Sequence, residues 1–163
     1  MRGLIVGVDP GNKTGCAVWS RDDDSFIYSA LHDNTPRDTE LDTERWVSYA
    51  GMLNTVIDER MACLALEDVK GHRGRKAAQV YGGYRAMALY LRHIYAPDAA
   101  VCLIHPNTLK KWATGDARAT KADMVKEAKR LKGLTSHTGK LDHNVADAAL
   151  LAKYADEHGE EWR

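Results

Sequence analysis

Residues 4–15 read Leu4-Ile5-Val6-Gly7-Val8-Asp9-Pro10-Gly11-Asn12-Lys13-Thr14-Gly15, an apolar strand that runs into a carboxylate and then a glycine-rich turn. Leu, Ile and Val suit the pleated, half-buried surface of a strand. Pro10 cannot donate to a ladder, so the strand stops there, and Gly11 and Gly15 are expected to supply the backbone freedom of a tight return. The next apolar run, Cys16-Ala17-Val18-Trp19, is then an antiparallel partner, because so short a connection permits a hairpin and not a helical crossover. Asp9 is thereby expected at a strand end, aimed out of the sheet.

Outward from this hairpin, Asp22-Asp23-Asp24-Ser25 reads as a turn and Phe26 to Leu31 as a third strand, completing a meander. A helix is expected from a Thr43 cap, with Trp46, Tyr49, Ala50, Leu53, Val56 and Ile57 on its apolar face. Ala62-Cys63-Leu64-Ala65-Leu66 is apolar throughout, as a buried parallel strand entered by a helical crossover should be, and it ends in Glu67-Asp68. A glycine-rich basic loop, residues 70–76, leads into a helix of about five turns marked by Tyr81, Tyr84, Ala88, Leu91 and Tyr95. Gly82-Gly83 on that helix is expected to admit another backbone. Val101 to Ile104 is a fifth strand stopped at Pro106. A short helix follows over Asn107 to Ala113, then one from a Thr120 cap to Lys132 ended by Gly133, a loop over 134–140, and a last helix from about Asp142. The order predicts a single α/β domain over residues 1–163, a mixed five-stranded sheet covered by helices.

Composition narrows the class. An apolar fraction of 44% with 28% charged residues is ordinary for a globular protein, and no apolar run approaches the roughly 20 residues of a membrane span. Met1-Arg2-Gly3 leads directly into a strand, so a cytoplasmic location and no membrane partner are expected. Cys16, Cys63 and Cys102 each lie in an apolar run and read as buried thiols. The formal net charge is zero, but it is segregated: Arg21 to Arg60 carries ten acids against four bases, Lys70 to Lys132 fourteen bases against four acids. A basic stretch of that size suits a polyanion such as nucleic acid.

If the first and fourth strands pair in parallel, their C-terminal ends share one sheet edge and Asp9 and Glu67 converge. In the last helix Asp147 interrupts a run otherwise fit for packing on the sheet, and burying it unpaired would be costly. Metal coordination removes that cost, with Asn144 and His143 one turn earlier on the same face. Hard oxygen donors without a Cys/His set favour Mg²⁺ or Mn²⁺ over zinc, and two such ions at ~4 Å suit phosphodiester hydrolysis.

Val-Asp-Pro-Gly at Asp9, Leu-Glu-Asp-Val at Glu67 and Asn-Val-Ala-Asp-Ala-Ala at Asp147, in that order, resemble the RuvC family of Holliday-junction resolvases in the RNase H-like superfamily. The resemblance extends through His105 to Trp112 and the helix start Thr120 to Val125. It implies an RNase H-like fold and a homodimeric endonuclease with two Mg²⁺ ions per site, Mn²⁺ substituting. The enzyme would nick branched DNA, four-way junctions above all, symmetrically and leave 5′-phosphates. Asp9, Glu67 and Asp147 would be the metal ligands. Lys121 would match a catalytic lysine near the cut, and Lys110 or Lys111 another DNA-contacting lysine; Lys13, Lys70, Arg73, Arg75 and Lys76 join the nucleic-acid-binding set. The family's fourth carboxylate falls at Asn144 here, leaving Asn144, His143 or Asp142 as the fourth ligand. Its junction-stacking aromatic is replaced by Lys70-Gly71-His72-Arg73, which suits phosphate contact and a broader branched-DNA specificity. The compact chain looks more like phage-encoded members. A YqgF-like RNA nuclease and a catalytically impaired junction-binding protein are the alternatives. A sugar-kinase or actin-type ATPase needs two such domains, so no nucleotide cofactor is expected. The Gly82-Gly83 helix with its tyrosines is the candidate dimer interface.

Overall fold

The computed structural model describes residues 3–37, 43–71, 74–134 and 140–159. The elements are β1 (Leu4–Asp9), β2 (Lys13–Ser20), β3 (Ser25–Asp33), α1 (Thr43–Val56), β4 (Met61–Glu67), α2 (Arg75–Tyr95), β5 (Ala100–Ile104), α3 (Pro106–Thr114), α4 (Lys121–Ala128) and α5 (His143–His158). They form one five-stranded sheet in the order β3-β2-β1-β4-β5. The β1–β2 and β2–β3 pairs are antiparallel, and β1–β4 and β4–β5 are parallel, as expected for a meander followed by helical crossovers.

Side-chain alternation divides the core into two layers. Leu4, Val6 and Val8 of β1 and Leu64 and Leu66 of β4 pack with Tyr49, Leu53, Tyr84, Ala88 and Leu91 of α1 and α2. Ile5 of β1, Cys63 and Ala65 of β4 and Cys102 and Ile104 of β5 face the other way, against Leu109, Met124 and the alanine-rich side of α5. All three cysteines are buried and free. Among the described residues no helix is long and apolar enough to cross a membrane.

Several details depart from the expectations. Gly11 and Gly15 do not carry positive φ; among the described residues the glycines that do are Gly74, Gly115 and Gly133. Gly15 lies inside β2, opposite Asp9. Arg75 and Lys76 belong to the first turn of α2, not to the loop before it. Helix α4 ends at Ala128, four residues early, because the chain then bends to β3, where the Phe26 amide donates to the Lys132 carbonyl at 2.9 Å. Gly133, at φ +80°, passes so close to the Phe26 backbone that a Cβ would collide with it. Gly83 makes room for the Trp46 ring of α1 instead of for a backbone, Gly82 has open space around it, and Tyr95 is exposed. The expected loop over 134–140 falls mainly outside the described residues.

Candidate active site

The alternation that builds the two layers also sets the acids. Val8 pairs with Leu66, so Asp9 and Glu67 are the next residues of two adjacent parallel strands. Asp9 is in phase with Ile5 and Gly7, and Glu67 with Cys63 and Ala65, so both carboxylates fall on the α5 side of the sheet.

Helix α5 reaches that edge because two glycines let it lie directly on the strands. A Cβ at Gly7 would overlap the Ala148 carbonyl oxygen, and one at Gly15 the Asn144 carbonyl group. Ala148, Ala149 and Ala152 on the opposing face are small and fully buried. The Asp142 side chain caps α5, accepting from the Asn144 amide at 2.8 Å, and Asp147 stands half-buried one turn further on. The function of Gly15 is therefore helix approach, a contact with a part of the chain about 130 residues away in sequence.

The three acids act strongly on one another. Burial, then repulsion from Glu67 and Asp147, raises the Asp9 carboxyl well above its ordinary value, with Lys121 pulling the other way. Glu67 is pushed up to about 7 by burial and by Asp147, against Lys110. Asp147 is pushed up to about 6 by burial, opposed by His143, Lys121 and Lys110. Removing carboxylates from water and crowding them disfavours the charged form, which is why all three carboxyls are raised.

Lys110 and Lys111 separate cleanly. Lys110 acts on Glu67 and Asp147, whereas Lys111 is exposed and lines a groove with Asn107, Thr108, Trp112, Tyr154 and His158. Lys121, the first residue of α4, approaches the cluster, and its Nζ lies 2.9 Å from His143 Nε2. His143 thus turns its Nε2 to a lysine, and Asp142 spends one carboxylate oxygen on the helix cap. Of the fourth-ligand candidates, Asn144 remains one turn before Asp147, with its backbone against Gly15.

The other basic residues lie away from the acids. Lys13 pairs with Asp33 at the β2–β3 edge. Lys70 is exposed and 3.9 Å from Asp68, which Arg85 holds at 3.2 Å, so Asp68 is ion-paired beside Glu67. Arg75 and Lys76 line an open groove with Trp46, Gln79 and Val80. Arg73 lies outside the described residues.

A polar network behind Asp9 escaped the sequence reading. Arg45, buried in α1, donates to Asn12 Oδ1 at 2.7 Å, and Tyr84 reaches the same oxygen at 3.5 Å. Asn34 donates to Thr14 Oγ1 at 2.8 Å and accepts from Ser48, while Thr14 donates to the Gly11 carbonyl at 2.7 Å. Thr14 and Asn34 are almost fully buried. Together they fasten the turn that follows Asp9. A signal was present: Arg45, Tyr49, Met52 and Val56 recur at helical spacing on the buried side of α1.

Crowded oxygen donors with unneutralised negative charge suit a hard divalent cation. Among the described residues no three His, Cys, Asp or Glu side chains are drawn up closely enough to hold an ion as they stand. Lys110 and Lys121 oppose the negative charge of the carboxylates as they stand.

An antiparallel three-strand meander extended by two parallel strands, with helices on both faces, is the RNase H-like fold. Within it the chain superposes on RuvC. Thermus thermophilus RuvC matches with a TM-score of 0.75 and 17% identity, over 97% of this chain and 96% of that one. T. thermophilus RuvC in complex with a Holliday junction substrate matches with a TM-score of 0.78 and 17% identity, over 98% and 96%. No protein-family model matches the chain, and no curated protein matches it in sequence.

Proposed function

We propose that this protein is a metal-dependent endonuclease that resolves four-way and other branched DNA junctions. The observation that carries this reading is the trio Asp9, Glu67 and Asp147, gathered at one edge of a RuvC-like sheet and sharing negative charge that two lysines only partly offset. In this reading the trio holds two Mg²⁺ ions, or Mn²⁺, with Asn144 as a fourth donor through its carbonyl oxygen. Such ions supply positive charge to the attacked phosphate and to the leaving oxygen.

The chain's own residues do the remaining work. Lys121 and Lys110 bind the phosphate to be cut and hold it against the acid edge, where their charge also opposes the negative charge that builds on its oxygens. Farther out, Arg75 and Lys76 stand at the N-terminus of α2, a 21-residue helix with no side-chain cap and no acid in its first turn. Two cations at the positive end of a helix are unfavourable alone, and backbone phosphates would offset both. Lys70 extends this basic edge, Lys13 opens β2 of the hairpin, and Arg73 completes the proposed binding set from its sequence alone. The homodimer would form through α2, whose Tyr90, Ile94 and Tyr95 are exposed. Two copies give paired symmetric nicks with 5′-phosphates.

Cleavage of a four-way junction with each strand end-labelled tests this reading. Paired nicks in Mg²⁺, abolished by Asp9→Asn, Glu67→Gln or Asp147→Asn with junction binding retained, are expected. Cutting of structured RNA in preference to the junction would transfer the protein to RNA processing. Tight junction binding with no nick in Mg²⁺ or Mn²⁺ would make it a junction-binding protein, with Asn144 the departure to suspect.

A further inference from the structure

Helix α4 begins with a residue poorly suited to a helix N-terminus, and that residue meets the first residue of α5. Lys121 is the first residue of α4, where a cation opposes the helix dipole. Its backbone is fixed by a capping box, with the Thr120 hydroxyl accepting from the Asp123 amide and the Asp123 carboxylate accepting from the Thr120 amide at 2.9 Å. His143 is the first residue of α5, fixed by the Asp142 cap. Between these two anchored starts, Lys121 Nζ lies 2.9 Å from His143 Nε2.

An ammonium has only donors, so Nε2 must be the acceptor, and a neutral imidazole that accepts there carries its proton on Nδ1. Nδ1 faces the Asp142 carboxylate at 4.0 Å, the group that already holds the start of α5. The imidazole therefore ties the lysine to the start of α5 through the single hydrogen bond at Nε2, and the nearby Asp142 charge favours the proton on Nδ1. Without it, four rotatable bonds would let Nζ sample solvent.

We propose that His143 is a positioning residue for Lys121: as its Nδ1–H tautomer it accepts a hydrogen bond from the Lys121 ammonium and holds that charge in front of Asp9 and Asp147, where the phosphate to be cut would lie. The assignment rests on the nuclease reading and replaces the role of His143 as a metal ligand. It also gives the two neighbours different parts: His143 supplies a nitrogen acceptor to the lysine, and Asn144 remains the proposed fourth donor.

Two measurements decide it. In ¹⁵N-histidine spectra at pH 8, His143 (assigned by its loss in His143→Gln) should be the Nδ1–H tautomer in the wild type and revert toward the Nε2–H form in Lys121→Ala. An Nε2–H imidazole in the wild type overturns the proposal. In junction cleavage at saturating Mg²⁺, His143→Leu should lower kcat about tenfold, the low end for a hydrogen bond to a charged group. KM and the half-saturating Mg²⁺ concentration should not change. His143→Gln, which keeps an acceptor, should restore most of the rate. In the Lys121→Ala background His143→Leu should have no further effect. A raised Mg²⁺ requirement in His143→Leu, or losses that multiply with those of Lys121→Ala, would make His143 a ligand and overturn the proposal. A wild type that cuts nothing would sink the nuclease reading instead, while the spectra still decide the contact.

Discussion

The charge trapped in the acid cluster should make the metal-free protein less stable as pH rises, and Glu67→Gln should remove much of that loss. The Glu67 carboxyl moves from 4.5 to about 7 on folding. Between those values the folded state holds a proton that the unfolded chain has released, so stability falls with rising pH across the window. The favourable contribution is complete below about pH 4.5 and gone above about pH 7. At 1.36 kcal/mol per pH unit the shift corresponds to about 3 kcal/mol, and solvent at the half-buried site brings this nearer 2 kcal/mol. Asp147, raised to about 6, shares part of the same repulsion, so the two contributions do not add. Urea denaturation in EDTA at pH 5 and pH 8 measures the effect. Glu67→Gln should exceed the wild type in stability by about 2 kcal/mol at pH 8, with the two converging toward pH 5. Mg²⁺ at pH 8 should raise the wild type well above its EDTA value and the variant much less, since binding only to the folded state stabilises it. A Glu67→Gln advantage that does not change between pH 5 and pH 8 would refute the reasoning, because the acid would then be neither buried nor repelled.

Gly15→Ala should destabilise by about 1–3 kcal/mol or more in urea denaturation, since the new methyl meets the Asn144 backbone, whereas Gly11→Ala finds ordinary room and should cost little. Equal effects at the two positions would return Gly15 to the role of a simple turn residue. Lys110→Ala should lower the cleavage rate and let Glu67 titrate higher, visible by carboxyl ¹³C spectra, while Lys111→Ala should leave the Glu67 titration unchanged. Replacing Arg75 and Lys76 together by Gln should weaken junction binding and flatten the slope of log K against log salt by about 0.9 for each lost phosphate contact. An unchanged slope would assign them to a solvated surface.

The strand ends were legible because their signals are local. Apolar runs halted by Asp9-Pro10 and by Glu67-Asp68 mark where β1 and β4 stop, and a helical crossover makes the two strands parallel. Asp147 was legible because a carboxylate stands out in an alanine-rich helix. What escaped was set by distant partners. Nothing near Gly15 announces the Asn144 carbonyl lying on it, and only the roll of α3 separates Lys110 from Lys111. The end of α4 depends on a hydrogen bond from Phe26, in the edge strand β3 about a hundred residues earlier in the chain.

The network behind Asp9 shows why such nonlocal parts are needed at a site of this kind. A strand-end carboxylate that is desolvated and repelled by two others lowers its energy by swinging out to water, and a glycine-containing turn would let it. The turn is therefore denied that freedom from behind: Arg45 and Tyr84 hold Asn12, and Asn34 holds Thr14, which holds Gly11. Burying Thr14 and Asn34 is tolerable because they bond to each other, to the Gly11 carbonyl and to Ser48, and removing one partner strands the next. Flexibility read from the glycines of residues 10–15 thus describes the backbone alone. In the folded protein that segment is held from both sides, by α5 over Gly15 and by α1 and α2 beneath Asn12, and Asp9 stays at the edge where Glu67 and Asp147 press against it.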